Sequence, residues 1–380
     1  MLSTLLVILA VAHLGAPAKH IVCYYGSWAT YRAWPGKFDP SDIDASKCTH
    51  LVYAFAGLDA ASLSVTSLDS YNDLDENYGK GSYKKFTALA QSHPNVKTLL
   101  AVGGWNEGSA KYSSMAATSA GRKRFAQSAV AFLQKYGFQG LDFDWEYPTQ
   151  REGRPEDRAN FVLLLKELYS QMKSNNLLLT VALAGSESII NAAYNVSEIA
   201  SNVDFMNVMT FDYLTASSSV TTGQAAPLES APGLDVVDTI KQYLERGAPK
   251  EKLVVGIPFY ARTFTLSTEN NGEGAPAQGP GRAGPISQEA GYLTYYELCM
   301  QQEDENWTIV KTEAGDVYSY NGNQWASYDD VDVIAKKVKY ILDNDLGGVM
   351  IWPLEADDNS AVCKTGKAPL LDAVYKSIGN

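Results

Sequence analysis

Eight short runs of apolar, often β-branched residues, most of them separated by stretches with helical spacing, constrain the fold of this chain more than any other feature. The runs are IVCYY from Ile21, HLVYAFAG from His50, KTLLAVGG from Lys97, GLDFDWEY from Gly140, LLLTVALAG from Leu177, DFMNVMTFD from Asp204, KLVVGIPFY from Lys252 and GGVMIWPL from Gly347. Between them lie AGRKRFAQSAVAFLQKYG, RANFVLLLKELYSQMKS, DVVDTIKQYLERG and DDVDVIAKKVKYILDNDLG, whose apolar residues recur three and four apart and whose ends carry Gly or Asn, as amphipathic helices do. Near-continuous apolar strands need cover on both faces, which a parallel sheet wrapped in helices supplies, and eight such units close into a barrel. The predicted class is therefore α/β, a (β/α)8 TIM barrel. Residues from about Thr265 to Ser327 break the rhythm: a Gly/Pro-rich run, NNGEGAPAQGPGRAGP, precedes strand-like pieces WTIVKT and DVYSYNG. They read as a small α+β insertion after the seventh strand, raising one wall of a cleft.

The chain has 380 residues, of which 46% are hydrophobic and 19% charged, enough to bury one large core. Residues 1–18 form an apolar run ending in Ala16-Pro17-Ala18, the small-x-small pattern of a cleaved signal peptide, although no Lys or Arg precedes the run. The mature unit is then 19–380, secreted and extracellular. Cys23, Cys48, Cys299 and Cys363 suit two disulfides, with three connectivities open, and their spacing gives no support to a zinc site. A formal net charge of −12 without a basic stripe argues against nucleic acid and anionic membranes as partners and leaves an uncharged one compatible. Asn195 and Asn306 open N-x-S/T triplets and are candidate glycosylation sites. The chain is expected to act as a monomer, without metal or cofactor, and with no cysteine-rich binding module before its end at Asn380.

In GLDFDWEYP the acids Asp142, Asp144 and Glu146 alternate with Leu141, Phe143 and Trp145, so on a strand all three acids share one face. On the fourth strand of a closed barrel that face is the interior, with neighbours roughly 6.6 to 7 Å apart. Three carboxylates so placed cannot all ionise easily, so at least one proton is retained near neutral pH. Hydrolysis of a glycosidic bond needs such a protonated acid, and Glu146, last in the row, falls at the C-terminal rim where barrel active sites lie. Two blander readings compete: a wet acidic strand face, which a closed barrel does not offer, and a DxD site for a divalent cation, which has no His nearby.

The segment resembles the DxxDxDxE signature of glycoside hydrolase family 18. The likeness extends to CYYGSWATYR, AVGGWNEG, MTFD, GIPFYARTFTL, NQWASYDD and GGVMIWPLEADD, in order along the chain. It implies a secreted chitinase acting on chitin or chitooligosaccharides by a retaining, substrate-assisted route, in which the sugar's own 2-acetamido oxygen attacks its anomeric carbon. Glu146 would then protonate the leaving oxygen, Asp144 would steady the acetamido nitrogen, and Asp142 would share a proton with Asp144. Trp28, Trp105 and Trp352 match positions that line the cleft, Trp352 as its floor. Asn106, Asp212, Tyr260 and Arg262 match positions that give polar contacts to the sugar.

Two positions depart from the family pattern. Gln139 stands where the signature begins with Asp, and a shifted proton balance in the acid row is the expectation. Phe211 stands where the family's MxYD motif has a Tyr whose hydroxyl holds the acetamido oxygen. Tyr213, two residues on and on the same face by strand alternation, offers a compensating hydroxyl. LTASSSVTTG after this motif lacks the family's usual Trp, so product-side contacts are expected to be weak. Retention of Glu146 favours an enzyme; Phe211 and Gln139 favour the rival, a chitinase-like lectin or growth-factor-type protein that binds oligosaccharide with little or no catalysis. Hydrolysis of another N-acetylhexosamine glycan, such as the core of N-linked glycans, is a third reading.

Overall fold

The computed structural model describes residues 19–230 and 233–379, so the predicted signal peptide, residues 1–18, lies outside the described residues. All eight apolar runs form strands: His20–Gly26, His50–Asp59, Lys97–Gly103, Gly140–Asp144, Leu178–Ala184, Phe205–Met209, Leu253–Pro258 and Gly348–Trp352. Each pairs in parallel with the next, and the eighth pairs with the first, His20 opposite Gly348 and Cys23 opposite Ile351, so the sheet closes. The helical stretches appear as Ser119–Tyr136, Asp157–Ser174, Val236–Glu245 and Val331–Asp343. Their ends follow local chemistry: the Thr118 side chain accepts from Gly121 N at the start of the first, and Gly137, at φ 79°, takes the left-handed turn that closes it.

Strand alternation sorts the fourth strand. Phe143 points outward, with its ring 5.6 Å from Phe125 and 6.2 Å from Phe161 on the flanking helices, while Asp142 and Asp144 point inward. Inside, Val22, Val52, Leu99, Val254 and Met350 fill the barrel in a packed cluster. At the N-terminal ends of the strands, the Phe205 ring lies 4.6 Å from His20 and 5.0 Å from His50. Burial there, aided by His20 and Lys97, pushes the His50 imidazole down to about 3, so it plugs the barrel as a neutral ring.

A second, antiparallel sheet follows the seventh strand. Its central strand is Tyr260–Leu266, flanked by Ala277–Pro280, Tyr292–Thr294 and Gln324–Tyr328, with Val317–Asn321 and Thr308–Lys311 beyond. Helix Tyr295–Asp304 completes this α+β unit. Two expectations need correction. KLVVGIPFY is not one barrel strand, and the second sheet starts at Tyr260, not near Thr265. The break falls at Phe259, whose N–H still donates to Trp352 O (2.9 Å) while its carbonyl accepts from Tyr295 N (3.2 Å). The run is apolar on both sides of this bend, so hydrophobicity alone does not mark it.

The disulfides are Cys23–Cys48 and Cys299–Cys363, one of the three possible pairings. The first joins the first strand to the turn before the second. The other ties helix Tyr295–Asp304 to the segment after the eighth strand. Among the described residues, no helix is long and apolar enough to cross a membrane.

Candidate active site

At the C-terminal mouth of the barrel lies a cleft of about 1570 Å³, lined by Trp28, Trp105, Glu146, Phe211, Arg262 and Trp352 among others. Sites for single small molecules run to roughly 300–1,000 Å³, so this one is sized for an oligomer. Trp352 closes the eighth strand, its ring 6.0 Å from Trp28 and 5.8 Å from Phe55. Phe55 was not singled out from the sequence; it belongs to the second strand's apolar run and reads there as core. Trp28 and Trp105 are 40% and 56% exposed, too open for core residues, and both sit in 3-10 turns directly after a barrel strand.

The acid row begins deep. Asp142 is fully buried and accepts from Tyr24 Oη (2.6 Å), Thr180 Oγ1 (2.6 Å) and Asn207 Nδ2 (3.1 Å), each from a different strand. Burial pushes its carboxyl up, and these donors pull it back. Three donors suit a charged acceptor, so Asp142 is the member of the row built to carry charge. Asp144 has no such partners: its Oδ1 is buried without a hydrogen bond. Burial, then the charges of Glu146 and Asp142, hold Asp144 well above the usual carboxylate range and favour its protonated form. The strand ends at Asp144, and Glu146 stands half-buried on the rim beyond it. Burial is the largest influence on Glu146, raising it to about 7; Tyr147 and Arg151 lower it and Asp212 adds to the rise. The site thus presents a carboxyl raised to about 7 beside a second that burial and its acidic neighbours also push up, over an aromatic floor.

Asp212 faces this group from the segment just after the sixth strand, which ends at Met209. Its backbone is left-handed, φ 61°, and its carboxylate takes Arg262 as a fork, Nε at 2.7 Å and Nη2 at 2.6 Å, together with Tyr260 Oη at 3.0 Å. Tyr260 and Arg262 come from the first strand of the second sheet, so this cluster binds the added wall to the barrel mouth. Asn106 is exposed beside Trp105.

Comparison with known proteins places this architecture. The family model for glycosyl hydrolases family 18 matches residues 20–357. The chain belongs to family 18. Among curated relatives in the family, it is 43% identical over 362 residues to a probable chitinase 2 of Drosophila melanogaster, covering 91% of this chain and 74% of that protein. It is 41% identical over 372 residues to the probable chitinase 10 of the same fly, covering 94% of this chain but only 16% of that longer protein. Of solved structures, the Group IV chitinase of Ostrinia furnacalis superposes with a TM-score of 0.91 at 41% identity, over 95% of this chain and 100% of that one. Human YKL-39, described as a pseudo-chitinase with retained chitooligosaccharide binding, superposes with a TM-score of 0.88 at 33% identity, over 96% of this chain and 100% of that one.

Against this family 18 frame, the two departures fare differently. Phe211 sits in the cleft mouth, its ring 6.2 Å from Tyr260, with no polar atom to offer. Tyr213 also borders the cleft, but its hydroxyl is held by Thr239 Oγ1 at 2.6 Å and is not presented as a replacement. The alternation argument for Tyr213 fails because the strand ends at Met209 and Asp212 turns the chain left-handed. Gln139, just before the fourth strand, accepts from Thr98 N (3.1 Å) and makes no hydrogen bond to the acid row, so the expected shift in its proton balance has no contact to carry it. Tyr24, Thr180, Asn207 and Arg151 were not identified from sequence. Asn207 did leave a signal, an amide inside the apolar run FMNVM.

Of the glycosylation candidates, Asn306 is exposed in a turn, whereas Asn195 is half-buried and its amide donates to Glu198 Oε1 (2.7 Å).

Proposed function

We propose that the protein is a secreted, endo-acting chitinase that hydrolyses β-1,4-linked N-acetylglucosamine chains with retention of configuration. The single observation that carries this reading is the graded acid row: Asp142 held by three donors, Asp144 buried with Oδ1 unpartnered and pushed up by its acidic neighbours, and Glu146 raised to about 7 at the edge of an aromatic cleft. In the proposed reaction Glu146 gives its proton to the glycosidic oxygen as that bond breaks. The acetamido oxygen of the same sugar closes on the anomeric carbon, and the protonated Asp144 orients the acetamido group while positive charge develops on it. Glu146, now a carboxylate, takes a proton from water as that water opens the cyclic intermediate, which restores the β-anomer. No enzyme nucleophile is required.

Hydrolysis of a fluorogenic chitooligosaccharide tests the reading. Wild type should release fluorophore and Glu146→Gln should lose nearly all of that rate while still binding oligosaccharide. Equal rates in the two proteins reject the enzyme. The first-formed reducing end should be β; early α-anomer rejects the substrate-assisted route.

A second reading, an oligosaccharide-binding protein with little turnover, rests on Phe211. A cleft that keeps its acid and its aromatic floor but lacks the hydroxyl that would hold the acetamido oxygen can bind chitooligosaccharide without efficient attack. Measurable affinity with no release of fluorophore would select this reading. Two disulfides and the exposed Asn306 sequon fit passage through an oxidising secretory compartment.

A further inference from the structure

Arg151 lies in the loop after the fourth strand; its charge lowers the Glu146 carboxyl, and it touches both halves of the rim. Its guanidinium carbon is 3.7 Å from the centroid of the Trp105 ring. Its Nη1 donates to Trp105 O at 2.6 Å and to Glu146 O at 3.1 Å. Further links between these two loops lie deeper: Gly104 N to Asp144 O (2.8 Å), Ser109 Oγ to Tyr147 O (2.8 Å) and the buried Trp145 Nε1 to Ser109 Oγ (2.9 Å). They fix the loop bases and leave the Trp105 side chain untouched.

Trp105 shares a turn with Glu107, whose carboxylate accepts from Leu58 N (3.0 Å) and Tyr112 Oη (3.0 Å), but none of these bonds reaches the Trp105 ring. Its short turn, Trp105–Glu107, is flanked by Gly104 at φ 87° and Gly108 at φ 66°, conformations that only glycine adopts freely. The ring has no aromatic neighbour among the described residues, and it stays 56% exposed with Arg151 across one face. The loop carrying Arg151 is the opposite case. Thr149, Arg151 and Glu152 hold left-handed φ values of 68°, 51° and 71°, a cost that surrounding structure must offset. Gln150 N to Tyr147 O (3.0 Å) and Gly153 N to Gln150 O (2.8 Å) pin it.

We infer that Arg151 is a positioning residue: it backs the Trp105 ring and ties it to the Glu146 main chain, so that acid and aromatic plane keep one spacing. A sugar stacked on the bare face of Trp105 is thereby registered against the Glu146 carboxyl. The role needs a planar cation with two donors in one plane, which Lys does not provide. For the sugar contact, the inference rests on the proposed oligosaccharide site.

The test has two arms. In the ligand-free protein labelled with fluorotryptophan, the 19F resonance of Trp105, assigned by its loss in Trp105→Phe, should shift in Arg151→Ala and Arg151→Lys; an unmoved resonance overturns the inference whatever the protein binds. In a Glu146→Gln background, Arg151→Ala should weaken binding of the N-acetylglucosamine hexamer about fivefold to tenfold, and Arg151→Lys should not restore it. When Trp105 is already Ala, the same change should cost less than twofold, since Arg151 acts through the ring; a full loss there shows an independent role and overturns the inference. If the resonance shifts as expected but no variant or parent binds the hexamer, the positioning role stands and the proposed oligosaccharide site is the part rejected.

Discussion

Glu146 is raised to about 7 chiefly because the cleft takes its carboxylate out of water, and the proposed first step uses its protonated form. A group whose pKa lies above the ordinary carboxylate range loses its proton later as pH rises. kcat should therefore hold through mildly acidic pH and fall as pH passes about 7, which a pH–rate profile reads directly. Phe211 is the second decisive position. Restoring an oriented donor with Phe211→Tyr should raise kcat by about tenfold to a hundredfold with a smaller change in KM, since the donor is most useful when charge develops. Tyr213 gives the contrast: its hydroxyl bonds Thr239, so Tyr213→Phe should leave kcat near wild type and cost about 1 kcal/mol in a denaturant titration. At this scale the acid row was legible in the sequence because three acids at a spacing of two contradict an otherwise apolar run. Arg151 was not legible, since an exposed arginine in a loop has no pattern to contradict.

Among the elements, the fourth strand keeps an outward apolar file against the helices and an inward file of acids, while other strands fill the barrel with Val22, Val52, Leu99, Val254 and Met350. Breaking the outward file has a cost: Phe143→Ala would open a gap between the strand and two helices, an expected loss of about 3–5 kcal/mol, measured by chemical unfolding. The eight runs predicted the eight strands because burial on both faces leaves little sequence freedom. Boundaries were less legible where backbone, not hydrophobicity, decides them. At Phe259 one apolar run serves two sheets, and at Asp212 a left-handed residue ends the alternation on which the reading of Tyr213 depended. The disulfide pairing had to come from the structure, because spacing alone allows three.

For the whole molecule, several buried carboxyls outside the reacting centre are raised above their ordinary range. Glu355 and Asp357 reach about 7 and Asp329 about 6, in each case chiefly through burial. A group raised on folding adds stability below its unfolded pKa, and that contribution disappears as pH rises through the folded value. His50, lowered to about 3, acts in the other direction: its neutral form is favoured by the fold, so stability is lost as pH falls below the usual histidine range. The carboxyls outnumber it, so Tm should be higher near pH 5 than near pH 8. Glu355→Gln should flatten that decline, because an amide can still accept from Gly26 N while carrying no charge. A Tm that rises steadily from pH 5 to pH 8 would contradict this balance. The Cys299–Cys363 bond bears on how the protein must be made. It joins the added wall to the chain beyond the eighth strand, so material produced in a reducing cytosol would lack both disulfides and, with Cys299–Cys363, the covalent tether on one bank of the groove. Preparations from reducing and oxidising hosts should then differ most in their grip on long oligomers, and a low yield of activity from the former would reflect the maker's redox state more than the sequence.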